Sequence, residues 1–264
     1  MPRAKRRLGQ HFLTDPRILA RIADALEARR GDTVLEIGPG PGGLTGALLE
    51  RAGRVVAIEK DAEMVEPLRS RYPALELVHG DALDLDWHSL AGVPFLVAGN
   101  IPYNITSPLL DKALTPPPPL RVVFLVQKEV AERVTAAPGT AEYGALTVGL
   151  QSAVTAERLF TVPAGAFNPR PKVDSAVLRL TPRDNPLVAA PERETFRAMV
   201  VGLFGYRRKQ IGRGLRELTG WDSPRVLALL GEASLVESAR PEVLTPADFV
   251  RLHRSLVDGG WTGR

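Results

Sequence analysis

Asn100-Ile101-Pro102-Tyr103 carries the residue types needed to hold a planar amine. It follows the apolar run Pro94-Phe95-Leu96-Val97-Ala98-Gly99, which reads as a buried strand. At such a strand end the asparagine side-chain oxygen and the backbone carbonyl of Ile101 can both accept hydrogen bonds from an NH2 group. Pro102 has no N–H and restricts the residue before it, which favours an outward-facing Ile101 carbonyl. Tyr103 adds an aromatic face on which a base can stack. The exocyclic amine of an adenine fits this set. A proline turn with a core tyrosine would use the same four residues, so the rest of the chain must decide.

A second constellation lies upstream. In Glu36-Ile37-Gly38-Pro39-Gly40-Pro41-Gly42-Gly43, the glycines 38, 40 and 43 match the dinucleotide fingerprint G-x-G-x-x-G. About 20 residues past Gly38 stands Glu59, where a carboxylate can accept both ribose hydroxyls of NAD or of S-adenosylmethionine. Three features favour S-adenosylmethionine. Glu36 precedes the glycines, within reach of the amino-acid end of such a ligand. Asp81 ends a third strand, where it can take the adenine amine. The fourth strand ends in Asn100 rather than in a hydride-transfer pocket. Asp81 alone would suit a turn or a helix cap, but four strand ends each carry suitable chemistry. His11, His79, His88 and His253 match no metal spacing, so no metal is assigned.

Positioning these residues requires alternating strands and helices. Strands are expected at 33–37, 55–59, 75–79, 95–98, 122–126 and 173–180. Helices are expected at 16–30, from the glycine loop to about 51, and at 61–72, 105–114, 128–135 and 143–152. This spacing predicts an α/β fold with a doubly wound, mainly parallel Rossmann-like sheet. In an open sheet of this kind ligands bind beyond the carboxyl ends of the strands, where Gly38, Glu59, Asp81 and Asn100 all fall. Residues 181–186 read as a linker. Beyond them the helical spacing at 196–204, 209–218, 224–230 and 246–257 predicts a smaller all-helical domain, giving domains at 1–183 and 184–264.

With 264 residues and 44% hydrophobic content the chain can bury a sizeable core. The lack of cysteine excludes disulfides, zinc–thiolate sites and a cysteine nucleophile, and it fits a reducing compartment. The N-terminus is basic, with Arg3, Lys5, Arg6 and Arg7, but lacks the apolar stretch of a secretory signal. No run approaches the roughly 20 apolar residues of a membrane span. A cytoplasmic monomer that does not bind membranes is expected. The net charge of +4 is mild, but Arg207, Arg208, Lys209, Arg213 and Arg216 cluster without an intervening acid. They are the candidate RNA-binding residues, with a solvated helix face as the alternative.

The sequence resembles the KsgA (RsmA) family of small-subunit rRNA adenine dimethyltransferases, relatives of the Erm resistance methyltransferases. The resemblance runs from Gly9 to about Gly220. Gly9-Gln10-His11-Phe12-Leu13 looks like the family's N-terminal cofactor motif, Glu36-Ile37-Gly38-Pro39-Gly40 its glycine loop, and Gly99-Asn100-Ile101-Pro102-Tyr103-Asn104 its target-base motif. Gln127-Lys128-Glu129-Val130-Ala131-Glu132-Arg133 matches a family helix. The stretch from Phe167-Asn168-Pro169-Arg170-Pro171-Lys172-Val173 to Val177 looks like the late motif whose phenylalanine faces the flipped base. Phe204-Gly205-Tyr206-Arg207-Arg208-Lys209 resembles the start of the C-terminal helical domain.

The resemblance implies S-adenosylmethionine-dependent N6,N6-dimethylation of two adjacent adenines in the 3′-terminal hairpin of 16S rRNA, within the immature 30S subunit. His11, Leu13, Glu36, Gly38, Gly40, Glu59, Asp81, Ala82 and Asn100 would form the cofactor site. Asn100, Ile101, Pro102, Tyr103 and Phe167 would hold the target base. His11 departs from the asparagine that many members carry, though histidine can also donate or accept. Two other readings share these features: an Erm-type enzyme acting on large-subunit rRNA, and a ribosome-assembly RNA-binding factor that retains the pocket.

Overall fold

The computed structural model describes Lys5 and residues 9–263. In chain order the elements are β1 (Phe12–Leu13), α1 (Pro16–Ala25), β2 (Thr33–Ile37), α2 (Gly43–Leu49), β3 (Arg54–Glu59), α3 (Ala62–Arg71), β4 (Glu76–His79), α4 (Trp87–Ala91), β5 (Leu96–Asn100) and α5 (Thr106–Lys112). There follow β6 (Val122–Gln127), α6 (Lys128–Val134), α7 (Ala145–Gln151), β7 (Val154–Val162), β8 (Phe167–Asn168), β9 (Ser175–Pro182), α8 (Arg193–Gly205), α9 (Ile211–Thr219), α10 (Ser223–Glu232) and α11 (Pro246–Asp258).

Among the described residues, seven strands form one sheet in the order β4-β3-β2-β5-β6-β9-β7. The pairings from β4 across to β6 are parallel, and β9 returns antiparallel to β6. After β2 the chain steps outward to β3 and β4, then comes back to place β5 on the other side of β2. That reversal leaves a crevice above the carboxyl ends of β2 and β5, the general ligand position in open α/β sheets. The inner strands are apolar because both faces are covered. Val34, Leu35, Val97, Ala98, Val123 and Phe124 are each at most 3% exposed.

Local chemistry explains the ends of several elements. Asp15 caps α1 by accepting from the N–H of Arg17 at 2.8 Å, and proline takes the first helical position. The helix stops at Ala25, short of the expected residue 30, because Glu27 adopts a left-handed φ of +53°. Asp61 caps α3 through the N–H of Glu63. The expected strand at 173–180 begins at Ser175, and the helix expected from 209 begins at Ile211.

The chain divides into two compact units. One contains residues up to 131 together with 156–182, and the other contains 132–155 with 183–264. Residues 132–155, expected with the sheet, therefore pack with the helices instead. Thr147 Oγ1 donates to the carbonyl of Arg133, and the hydroxyl of the fully buried Tyr143 donates to that of Leu244. The core of the second unit is built on Phe196, Met199, Leu203, Leu215, Leu230, Phe249 and Leu252. No helix among the described residues is long and apolar enough to cross a membrane.

One contact fixes the register beside the crevice. Ile37 of β2 lies opposite Gly99 of β5. A Cβ on Gly99 would stand 2.6 Å from the Ile37 carbonyl oxygen and 2.9 Å from Ile101 Cδ1. Neither neighbour can retreat cheaply, since one is backbone and the other a buried side chain. Gly99→Ala is expected to lower unfolding free energy by about 1–3 kcal/mol, read from urea denaturation. An unchanged midpoint would show that the two strands are not packed this tightly.

Candidate functional site

The carboxyl ends of the parallel strands and residues 9–13 enclose one cleft. Its walls include His11, Leu13, Glu36, Gly38, Gly40, Glu59, Asp81, Ala82, Asn100, Ile101, Pro102 and Tyr103. All nine residues expected at a cofactor, and four of the five expected at a target amine, thus share one space.

The glycine turn follows β2. Gly38 and Gly40 have φ values of +66° and +55°, which side chains with a Cβ rarely adopt. A Cβ at Gly38 would meet no protein atom within 4 Å, so it would occupy cleft space. Gly40 is closed on its other side, where Phe12 Cε1 would lie 3.0 Å from an added Cβ. The Gly40 N–H donates to Glu59 Oε2 at 2.9 Å, and the Asp61 N–H donates to Oε1 at 2.7 Å. Each carboxylate oxygen keeps a further lone pair for a hydroxyl. Burial pushes the Glu59 carboxyl up, while these backbone donors pull it back.

Asp81 is held below the usual carboxylate range, chiefly by Lys60, whose Nζ lies 2.5 Å from Oδ2. Its Oδ1 accepts from the N–H of Leu83 at 3.0 Å. Asp81 is therefore a fixed, ionised acceptor at the end of β4. A ribose diol at Glu59, an adenine amine at Asp81 and an unhindered glycine turn are the requirements of S-adenosylmethionine, and these residues meet them.

At the end of β5, Asn100 Nδ2 donates to the carbonyl of His11 at 2.8 Å. Asn100 Oδ1 is left as the acceptor side of that amide. The N–H of Ile101 donates to the Leu125 carbonyl, which anchors the following turn. The Tyr103 hydroxyl is 2.8 Å from Ser175 Oγ, and its ring stacks on His11 with centroids 5.5 Å apart. His11 Nδ1 is 2.8 Å from the Pro169 carbonyl oxygen. The contact of His11 is thus with the base-side loop and Tyr103, and any further aromatic must use the other face of that tyrosine.

Phe167 is the exception. It is 5% exposed and belongs to the core of the sheet unit. Its strand β8 pairs antiparallel with β1, which sets Phe167 opposite Leu13 and turns its side chain inward while Asn168 is exposed. Phe167 stands outside the cleft wall that the other four target-base residues share, and it packs in the same core as Leu13, its neighbour across the β1–β8 pair. The β1–β8 pairing was invisible in the sequence because two-residue strands leave no alternation to read.

Gln10, Lys5 and Asp61, legible in the sequence only as a motif position, part of a basic terminus and a helix start, form a hydrogen-bonded cluster beside the cleft. The basic cluster looks different in three dimensions. Arg207 pairs with Glu242, Arg216 with Glu237, and both Lys209 and Arg213 with Glu217. Most of these acids lie later in the chain, so local charge counting could not find them. Arg208 is exposed. Apart from Lys5, the basic N-terminal residues lie outside the described residues. Among the described residues, no group of three or more potential ligands is placed to hold a metal.

Glu36 is 1% exposed and accepts from Thr45 Oγ1 at 2.7 Å. Burial raises its pKa to about 8, against the opposing hydrogen bond from Thr45 and with some help from Glu59. The folded chain therefore keeps this proton to about pH 8, whereas the unfolded chain gives it up near 4.5. Its contribution to stability is fully present below that lower value and falls as pH rises towards the upper one, by about 1.4 kcal/mol per pH unit. Glu36→Gln is expected to remove this part of the slope. Denaturation at pH 5 and pH 8 checks it, and an unchanged difference between the two would show that Glu36 is ionised in the folded protein.

Comparison with known proteins agrees with this geometry. Residues 1–250 match the family model described as ribosomal RNA adenine dimethylase. The ribosomal RNA small subunit methyltransferase A of Nitratidesulfovibrio vulgaris is 45% identical over 265 residues, 97% of each chain. A dimethyladenosine transferase from Plasmodium falciparum superposes with a TM-score of 0.85 at 27% identity, covering 95% of this chain and 98% of that one. The 23S rRNA methyltransferase ErmE gives 0.73 at 33% identity, covering 93% and 99%. With a matching model over most of its length, the cleft chemistry and these relatives, the chain belongs to the ribosomal RNA adenine dimethylase family.

Proposed function

We propose that this protein dimethylates N6 of two adjacent adenines in the 3′-terminal hairpin of 16S rRNA, using S-adenosylmethionine, on the immature 30S subunit in the cytoplasm. The single observation that carries the chemistry is the orientation of Asn100. Its NH2 is spent on the His11 carbonyl, which leaves Oδ1 to accept. Together with the Ile101 carbonyl it forms a pair of acceptors matched to an amine with two N–H bonds.

Bound in the cleft, S-adenosylmethionine supplies a methyl group on a positively charged sulfur, so the chain needs no metal or covalent nucleophile of its own. Glu59 and Asp81 hold the two ends of the adenosine, and Glu36 borders its amino-acid end. Asn100 and Ile101 hold the target amine in place, so orientation supplies much of the rate. Their hydrogen bonds draw the nitrogen lone pair out of conjugation with the ring and make it more nucleophilic. The free face of Tyr103 offsets the cost of flipping the base, with roughly 1–3 kcal/mol of stacking. After the first methylation one N–H remains, so one of the two acceptors goes unused in the second round.

The small subunit is favoured over the large one by sequence. The curated small-subunit relative shares 45% identity against 33% for ErmE, and the dimethyladenosine transferase superposes better. The helical unit supplies the rRNA contact in this reading. Arg207, Arg208, Lys209, Arg213 and Arg216 would meet phosphates, since exposed ion pairs are weak enough to exchange partners.

Tritium transfer from labelled S-adenosylmethionine to immature small subunits, with the labelled nucleotide mapped, tests the proposal. Label is expected in dimethyladenosine at two adjacent positions near the 3′ end. Label in large-subunit rRNA instead would replace this reading by the Erm-type one. In the same assay Asn100→Ala should lower transfer about 100-fold or more, comparable with loss of one preorganised transition-state partner. Its rRNA binding should survive, because phosphate charge dominates that affinity. Near-parental turnover in this variant would remove Asn100 from the reaction.

A further inference from the structure

Gln10 and Lys5 take no part in the chemistry described above, yet both are fully engaged at the cleft rim. The Lys5 N–H donates to Gln10 Oε1 at 2.8 Å, and Gln10 Nε2 donates to Asp61 Oδ2 at 3.1 Å. Lys5 Nζ closes the ring by donating to Asp61 Oδ1 at 2.6 Å, and it also pairs with Glu63 at 2.9 Å. The Asp61 side chain is 2% exposed. Its carboxyl is stabilised in the charged form, the donors from Lys5 and Gln10 outweighing the effect of burial. Both ends of the Gln10 amide are satisfied, so its orientation is determined.

The residue after Gln10 supplies the carbonyl that orients Asn100. Beyond it, Phe12 packs under Gly40, and Leu13 pairs with Phe167. Before it, Gly9 has a φ of +63°, and a Cβ there would stand 3.1 Å from Asn104 Oδ1. Residues 9–13 thus run across the cleft against both the glycine turn and the base-holding turn, with the Lys5–Gln10–Asp61 ring at one end. A primary amide has a donor end and an acceptor end of similar shape. Without a fixed carbonyl beside Nδ2, Asn100 could turn its NH2 towards the target amine, and two donors would face each other.

We propose that Gln10 and Lys5 are positioning residues for methyl transfer: latched on Asp61, they hold the His11 carbonyl where it selects the productive orientation of the Asn100 amide. The proposal rests on the adenine-methyltransferase reading for its kinetic consequence, but its structural content is independent of that reading. The two residues act through a backbone carbonyl, so they should affect turnover more than substrate binding.

Two measurements test this. In steady-state kinetics with immature small subunits, Gln10→Ala and Lys5→Ala should each lower kcat at least tenfold, with KM for rRNA within twofold of the parent. The double variant should be no worse than either single one, because one latch is broken in each case. Lys5→Arg should recover most of the loss. In parallel, the Asn100 side-chain amide resonances, assigned by their disappearance in Asn100→Ala, should show one exchange-protected proton in the parent and none in Gln10→Ala or Lys5→Ala. A protein with no transferase activity would refute the proposed function, and the amide resonances would still decide the latch. A protected Asn100 proton in both variants, or kcat within twofold of the parent, overturns the proposal. A loss confined to KM for rRNA would make Lys5 and Gln10 RNA contacts and overturns it equally.

Discussion

The parallel alignment of β2, β3, β4 and β5, with the chain reversal between β2 and β5, is the constraint on which the rest depends. Parallel hydrogen bonding brings every strand to its carboxyl end on the same edge of the sheet. The reversal then separates the helices on either side and opens that edge. Glu36, Glu59, Asp81 and Asn100 come from positions spread over 65 residues of sequence, yet each stands within two residues of a strand end. The Ile37–Gly99 pairing holds the two central strands together so closely that no side chain fits between them.

On that frame the site is built by pairing polar groups with backbone as well as with one another. Glu59 is gripped by two N–H groups, Asp81 by Lys60 and an N–H, and Asn100 by a carbonyl. Each of these bonds leaves an unused lone pair or an unused end of an amide. That is how a buried site can be preorganised and still retain capacity for a ligand. Glu36 differs, since its main partner is a hydroxyl and burial keeps its proton on. A positive charge brought beside it would favour its ionisation, which suits a position bordering an amino-acid moiety.

Much of this was legible in the sequence, for identifiable reasons. The inner strands are continuous apolar runs, and the glycine turn, Glu59, Asp81 and Asn100 follow them at intervals set by strand and helix length. That regularity pointed to Glu36, Gly38, Gly40, Glu59, Asp81 and Asn100, whereas His11, Leu13 and Ala82 came only with the family resemblance. What escaped depends on pairing across long sequence separations. The β1–β8 ribbon buries Phe167, the alternation of β7 is too irregular to read, and residues 132–155 leave the sheet unit for the helical one. The basic cluster was read as uncompensated because Glu237 and Glu242 lie 21 to 35 residues from their partners. The roles of Gln10 and Lys5 were hidden because their common partner, Asp61, is some 50 residues away.

The central claim is geometric: one cleft holds an adenosine cofactor on Glu59 and Asp81 and presents an acceptor pair, Asn100 Oδ1 and the Ile101 carbonyl, to an adenine amine. A crystal structure of the protein with S-adenosylhomocysteine and adenosine tests it most directly. The account predicts the cofactor ribose hydroxyls on Glu59, the cofactor adenine amine beside Asp81, and N6 of the second adenosine within hydrogen-bond distance of both acceptors. An Asn100 amide with its NH2 turned to N6, or a cofactor bound away from Glu59, would contradict it.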